Sequence, residues 1–273
     1  YVSGGRGQSS IAMLSPKTSG VFLCWLVCAL PLLFGFVIPV GVLLNFVVGD
    51  NVIANFIAIQ SIIGNTLILA GSASFLIMLI SAFIVITATF RSGNKTQKLA
   101  LLASTGYAFP GTILAIGVLT FCSQVENTIV FFAGPSFEGI LITSLMVLFF
   151  AYTVRFQAVG YGAMVAGVKR LPADMMNASR VLGQSYANSI KRVIAPLLRS
   201  SFLAGMMLVF VDVMKELPMT LLLRPFNFET LATYTYQFAK DEMLEVAALP
   251  ALMIVLSGLV PVILMSSMLR RYR

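Results

Sequence analysis

Three charged residues stand at the end of a long apolar run, in the stretch FVDVMKELP at residues 210–218. Asp212, Lys215 and Glu216 would each cost about 3 kcal/mol at the centre of a bilayer, so their presence needs a reason. On a helix, Asp212 lies three residues from Lys215 and four from Glu216, which places the three charges on one stripe. Carboxylate oxygens suit hard cations, and such a stripe can form an outer gate or a vestibule that attracts cations.

The same residues also permit a purely structural interpretation. Asp212 and Lys215 can form an ion pair that fixes their helix against its neighbours, with Pro218 ending the helix. For these two residues the spacing leaves both interpretations open. Glu216 lies furthest along the run and is one carboxylate in excess, which favours a functional role for it.

The composition places these charges in a membrane protein. Hydrophobic residues make up 59% of the 273 residues, charged residues 10%, and the mean hydropathy is +0.95, which leaves too little polar material to cover a soluble globule. The sequence contains no histidine, which excludes a histidine-dependent triad and an imidazole metal site. A bilayer core about 30 Å thick needs roughly twenty apolar residues per helix. We therefore predict an all-α polytopic transmembrane bundle whose six spans are approximately residues 21–46, 63–89, 99–121, 139–161, 198–220 and 247–269.

Positive charge is unevenly distributed among the loops between these spans. Lysine and arginine collect on one side, as they do in cytoplasmic loops, whereas acidic residues such as Glu126 and Glu229 fall on the other. We therefore predict that both termini are cytoplasmic. The net charge of +8 reflects this topology, and no nucleic-acid-binding motif accompanies it. Arg155, placed near the inner end of the fourth span, is expected to reach the membrane surface through its long side chain.

The longest cytoplasmic connection, about residues 170–197, is expected to have a function of its own. Pro172 can occupy a first helical turn with Asp174 just behind it, where a carboxylate suits the helix dipole. Gly183 offers a break, and a second basic helix follows that ends at Pro196. This pattern describes an elbow that docks a cytoplasmic partner. An interfacial helix lying on anionic headgroups would use the same basic residues, and the spacing does not separate the two.

The elbow sequence resembles a known signature. NASRVLG, followed after nine residues by VIAP, is similar to the coupling loop of bacterial ABC-importer permeases, where Glu-Ala-Ala, three residues, Gly, nine residues and Ile-x-Leu-Pro follow one another. Asn177, Ala178 and Ser179 stand at the Glu-Ala-Ala positions, and Gly183 and Pro196 match. The sequence departs from the signature at Asn177, Ser179, Val193 and Ala195.

The resemblance extends along most of the chain. The segments GYAFPGTILAIGVL (106–119), AYTVRFQAVG (151–160), FVDVMKELPMTLLLRPFNFETLA (210–232) and AALPALMIVLSGLVPV (247–262) look like the second half of the ferric-iron permeases. Those proteins consist of two fused six-span halves. Residues 20–273 would then form one permease half, and the polar segment 1–19 would be a linker or cytoplasmic N-terminal segment of a fragment or of a split permease.

The resemblance implies a pathway-forming subunit without chemistry of its own. Its partners would be a dimeric cytoplasmic ABC ATPase, a periplasmic or extracellular substrate-binding protein, the other permease half and the lipid of the bacterial inner membrane. The chain has no glycine loop ending in Gly-Lys-Ser or Gly-Lys-Thr, so ATP hydrolysis is assigned to the partner. No cofactor is expected, and no metal site can be composed from the sequence.

Two alternatives stay open at this point. Related permeases with two halves share the coupling loop, so thiamine or another small solute could replace ferric iron as the substrate. A proton-coupled secondary transporter would use Asp212 and Glu216 as proton sites. Dependence of uptake on ATP distinguishes this second alternative from an ABC importer.

Overall fold

A computed structural model describes residues 18–48, 52–90, 102, 105–172 and 174–270. Within these segments every regular element is helical, as predicted. Predictions for residues 1–17 and 91–101 lie outside the described residues. The α-helices are α1 Thr18–Leu32, α2 Ile38–Val48, α3 Val52–Phe90, α4 Gly111–Ala133, α5 Leu145–Val168, α6 Met175–Val181, α7 Tyr186–Ser189, α8 Ala195–Met214, α9 Pro218–Leu223, α10 Leu231–Lys240 and α11 Leu244–Arg270.

Six helical segments of the described chain are long and apolar enough to cross a membrane, which agrees with the predicted number of spans. They are Gly20–Val48, Ile59–Phe90, Gly111–Ala133, Leu145–Val168, Tyr186–Met214 and Leu244–Ile263. The first, second and last lie close to the predicted positions. The fourth, Leu145–Val168, begins six residues and ends seven residues later than predicted. The third and fifth also differ, and both of these differences have a local cause.

The centre of the bundle consists of α3, α5 and α8, which pack against one another. Close approach depends on small residues. A Cβ atom added at Gly205 of α8 would lie 2.8 Å from the Cβ atom of Ala163 on α5, so only glycine allows this spacing. The amide of Gln157 on α5 donates a 2.8 Å hydrogen bond to Ser81 Oγ on α3, and both residues are buried.

The third span is shifted along the chain relative to the prediction. Residues 99–121 were expected to form one helix, but a 3-10 turn occupies Gly106–Ala108, Phe109 is extended, and α4 begins only at Gly111. Pro110 explains the break, because proline disfavours helical conformation in the residue before it and is itself tolerated at a helix start. The helix then runs on to Ala133.

Glu126 consequently lies within α4 and not in an outer loop, where the charge distribution had placed it. Its side chain is buried and accepts hydrogen bonds from the backbone N–H groups of Gly139, Leu141 and Ile142 at 2.8 to 3.0 Å. The carboxylate thereby satisfies backbone donors of the segment between α4 and α5. It fixes that segment against the end of α4.

The fifth span is longer than predicted because Pro196 does not end a helix. Instead α7, the wide π turn Ile190–Ile194 and α8 form one continuous segment from Tyr186 to Met214. In the wide turn, Ala195 N–H donates to the carbonyl of Ile190, five residues back. This wider spacing makes room for the ring of Pro196. A second π turn, Leu33–Val37, precedes Pro39 by the same two residues.

The first span lies at the edge of the bundle. None of the most apolar part of Gly20–Val48 is buried, and its described contacts are made mainly by α2 against α11. Its sequence is apolar on all sides. A helix of this kind faces lipid over most of its surface.

Candidate functional site

The predicted elbow is present between α5 and α8. Its first helix, α6, begins at Met175 and is preceded by Asp174 as the N-cap residue, whose side chain makes no capping hydrogen bond. The expectation that Pro172 occupies the first turn is therefore wrong by three residues. Asn177 and Ala178 are exposed on this helix, whereas Ser179 is buried.

Gly183 ends α6 in the conformation that the sequence suggested. Its φ is +81°, a left-handed conformation that glycine adopts without strain. Gly183 N–H donates to the carbonyl of Arg180, and Gln184 N–H donates to the carbonyl of Ser179. This pair of hydrogen bonds is the Schellman motif. The chain turns sharply here and enters the fifth span.

The elbow is tied to the fifth span by a buried contact. Ser179 Oγ of α6 and Ser189 Oγ of α7 lie 2.8 Å apart and form a hydrogen bond. Ser189 also donates to the carbonyl of Ser185. The two sides of the elbow are therefore held together close to the turn, and α6 is positioned relative to the long helix.

Two apolar side chains project from the elbow. Val181 is 87% exposed and Leu182 is 81% exposed. They are neighbours in sequence and stand at the tip of a connection between two spans, where they form a small exposed apolar surface. Neither residue stands at a position that the signature specifies, so the sequence pattern did not indicate them.

The charged stretch separates into two pairs. Asp212 and Lys215 form the predicted pair, with Lys215 Nζ 2.9 Å from Asp212 Oδ1. The Lys215 side chain is 61% exposed, and its hydrogen bond to Asp212 raises the pKa of Lys215. Glu216 does not continue this stripe, because α8 ends at Met214. Pro218 then begins α9, so it does not end the fifth span as predicted.

Glu216 pairs with Arg155 of α5. Arg155 Nη2 lies 3.6 Å from Glu216 Oε2, and the side chains are 20% and 7% exposed respectively. The expectation that Arg155 reaches the inner membrane surface is wrong. Arg155 lies near the middle of α5 and points at the buried carboxylate of Glu216. A lone arginine in an apolar span requires such an acidic partner.

Several groups surround this second pair. Glu216 Oε1 accepts a hydrogen bond from Met219 N–H at 3.3 Å, at the start of α9. Thr220 Oγ1 donates to the carbonyl of Glu216 at 2.6 Å and lies 2.5 Å from the hydroxyl of Tyr152, one turn before Arg155. The start of α9 is thus fixed to α5 through Tyr152 and through the ion pair at Arg155.

The interrupted segment before α4 also contacts the Arg155–Glu216 pair. A Cβ atom at Gly106 would lie 1.9 Å from the carbonyl oxygen of Val154, and one at Gly111 would lie 2.1 Å from Arg155 Nη1 and 2.9 Å from Glu216 Oε1. The glycines of GYAFPG therefore permit the interrupted third span to contact α5. Helices α4 and α9 also pack against each other, so two breaks in the helices meet at one ion pair.

The described residues contain no group of three or more histidine, cysteine, aspartate or glutamate side chains arranged to hold a metal ion. Within the described chain, Asp212 and Glu216 each face a basic side chain, Lys215 and Arg155. What the arrangement can do is mechanical: it connects an exposed elbow to a charged junction through one long helix.

Solved structures of chains from two ABC transporters show a similar fold. A chain from the crystal structure of a bacterial alginate ABC transporter, in complex with an alginate pentasaccharide-bound periplasmic protein, superposes with a TM-score of 0.73 at 15% identity, over 93% of this chain and 94% of that chain. A chain of the inward-facing MetNI methionine ABC transporter superposes with a TM-score of 0.52 at 15% identity, over 77% and 95% of the two chains.

A sequence relative carries a more particular description. Over 159 residues, or 58% of this chain, the sequence is 24% identical to the Fe(3+)-transport system permease protein FbpB 2 of Haemophilus influenzae. The match spans 29% of the length of that relative. No protein-family model matches the chain.

Proposed function

We propose that this chain is a transmembrane permease subunit of an ATP-driven importer, and that its substrate is ferric iron. The permease fold supports the first statement, and the similarity to a Fe(3+)-transport permease supports the second. In this proposal the chain is not an enzyme and needs no cofactor. It lies in the bacterial inner membrane with both termini cytoplasmic, and it forms the pathway with a second permease half.

The elbow carries the proposal. Its short helix, its fixed turn at Gly183 and its exposed Val181 and Leu182 form a rigid projection that fits a groove on a cytoplasmic ATPase dimer. Asp174, Asn177, Ala178 and Ser179 belong to the same helix or its cap, and Pro196 lies within the long helix, just after its wide π turn. Closure of the ATPase would then displace the elbow and the long helix together.

At the opposite end of the fifth span, an outer loop offers a surface for a substrate-binding protein. Phe226 is 99% exposed on a turn in which Asn227 has a φ of +59°. An ion pair between Arg224 and Glu229 closes the loop, and Arg224 Nη1 donates to the carbonyl of Phe228 at 3.0 Å. A fixed turn with a fully exposed aromatic ring is suited to protein contact.

The charged residues take different places in this function. Asp212 and Lys215, with the lysine exposed, are proposed to border the outer part of the pathway. Glu216 is buried and paired with Arg155. We propose the ATP-driven mechanism over a proton-coupled one because the fold is similar to that of chains from two ABC transporters.

The proposal is tested by replacing Val181 and Leu182 with serine in the native cells and purifying the complex through a tag on this chain. Burial of two such side chains stabilises a protein contact, so we expect the double variant to copurify at least about tenfold less ATPase. The variant should insert normally into the membrane but lose radioactive iron uptake. Met243→Ser, at an exposed apolar residue before α11, is the control and should retain both. Full ATPase recovery with the double variant would contradict the docking role. Uptake of thiamine in place of iron would contradict the substrate.

A further inference from the structure

The long helix of the fifth span joins two sites at its ends. Tyr186–Met214 is continuous over 29 residues, which corresponds to about 43 Å at 1.5 Å per residue. One end is tied to the elbow by the buried bond between Ser179 and Ser189. The other end leads within two residues to Glu216. A displacement of the elbow therefore acts along one element on the carboxylate of Glu216.

The contact at Glu216 is incompletely satisfied. The distance of 3.6 Å between Arg155 and Glu216 exceeds that of a good charge-assisted hydrogen bond, about 2.7 to 2.9 Å. Arg155 Nε is buried and has no hydrogen-bond partner among the residues that the structure describes. An unsatisfied donor in a low-dielectric setting is costly. A movement of Glu216 relative to α5 that carried the carboxylate to Nε would satisfy this donor and give the pair a second arrangement.

Such a shift would move more than one side chain. Glu216 holds the start of α9 through Met219 N–H. Gly111, at the start of α4, lies directly against the ion pair, because an added Cβ would clash with both partners. The positions of both interrupted helices thus depend on where Glu216 sits against Arg155.

We infer that Arg155 and Glu216 form a latch that links movement of the elbow to the positions of α4 and α9. This inference rests on the proposed function, since the ATPase would supply the movement. Both are positioning residues that act through the helices they hold. A buried ion pair adds little stability over an apolar pair of similar volume, so a role in switching accounts for this pair better than a role in stability.

The test uses the complete complex purified through a tag on this chain, with radioactive iron supplied as ferric citrate together with the binding protein. Arg155→Met with Glu216→Leu removes both charges at similar volume, so the chain should accumulate normally. We expect ATP hydrolysis without binding protein to rise about fivefold and iron uptake per ATP to fall about fivefold, a shift at the lower end of typical coupling between two sites.

Ser81→Ala with Gln157→Leu is the matched control. It removes a buried 2.8 Å hydrogen bond on the same helix, two residues from Arg155, but one that joins the uninterrupted helices α3 and α5. Iron uptake per ATP should remain at the wild-type value. Arg155→Lys serves if the first double variant does not accumulate, because it keeps the charge and changes the geometry, and we expect it to lower iron uptake per ATP.

The outcomes separate the two hypotheses. Normal iron uptake per ATP in the Arg155→Met, Glu216→Leu variant, or in Arg155→Lys, would overturn the latch and leave a structural ion pair. An equal loss of iron uptake per ATP in the Ser81→Ala, Gln157→Leu control would also overturn the latch. Removal of any buried polar contact on α5 would then produce the same effect. A wild-type complex that contains no ATPase would instead overturn the proposed function, and the latch with it.

Discussion

Gly106→Ala should destabilise the chain, because the added Cβ atom would clash with the backbone of α5. Gly106 lies in the short 3-10 turn before α4 and is buried against α5. The added Cβ would lie 1.9 Å from the carbonyl oxygen of Val154, 2.8 Å from its carbonyl carbon and 3.4 Å from Arg155 Cα. None of these atoms can rotate away, since they belong to the backbone of a packed helix.

The magnitude follows from the required movement. An ordinary contact of this Cβ with oxygen needs more than about 3 Å, so the turn must retreat by at least about 1 Å from α5. Overpacking of a tight contact costs roughly 1 to 3 kcal/mol, and a backbone clash belongs at the upper end of that range. The retreat also draws Gly111 away from Arg155 and loosens the packing around the ion pair.

Gly117→Ala in α4 is the control for this prediction. Within the described part of the chain, its added Cβ meets no atom within 4 Å, and alanine in a helix interior is favoured over glycine by about 0.5 to 1 kcal/mol. The two substitutions are chemically identical and are expected to have opposite signs. The assay is the fraction of detergent-purified chain that stays monodisperse after heating. A melting midpoint of Gly106→Ala at or above the wild-type value would refute the assignment of Gly106 as a close-packing position.

Two further predictions concern the elbow and the orientation. Gly183 has a positive φ, and none of the described residues has an atom within 4 Å of an added Cβ, so the cost of substitution is conformational. Gly183→Leu should lose about 1 to 2 kcal/mol of stability and copurify less ATPase. Gly183→Asn should be tolerated, because asparagine adopts this conformation more readily. Equal losses of stability and of copurified ATPase in both variants would show that the left-handed backbone conformation does not determine the effect. In a chain without the three native cysteines, a cysteine at Asn227 should react with an impermeant maleimide in intact cells, and one at Arg180 only after permeabilisation. Reversed labelling would contradict the proposed orientation.

Local spacing predicted the features that depend on neighbours in the sequence. The ion pair of Asp212 with Lys215 follows from a separation of three residues on a helix, and the turn at Gly183 follows from the glycine itself. The six spans follow from apolar length, which depends on bilayer thickness alone. These properties need no knowledge of which helix lies beside which.

The partner of Glu216 could not be found in this way, because Arg155 is on another helix and no periodicity connects them. A signal was nevertheless present: a single arginine inside an apolar span requires an acidic partner, and Glu216 was the carboxylate in excess. The break at residues 105–110 was also signalled, by Pro110, but apolar length outweighed it in the assignment of the third span. The peripheral place of the first helix had no signal, since a helix that is apolar on all sides does not show which side is covered.

The lipid-facing first span has a consequence for how the protein responds to its membrane. Its 29 residues measure about 43 Å along the helix axis, whereas the hydrocarbon layer is about 30 Å thick. Such a helix tilts to keep its apolar side chains out of water, and the tilt grows as the bilayer becomes thinner. Because α2 rests on α11, a change in lipid chain length would alter the angle at which this outer helix leans on the bundle.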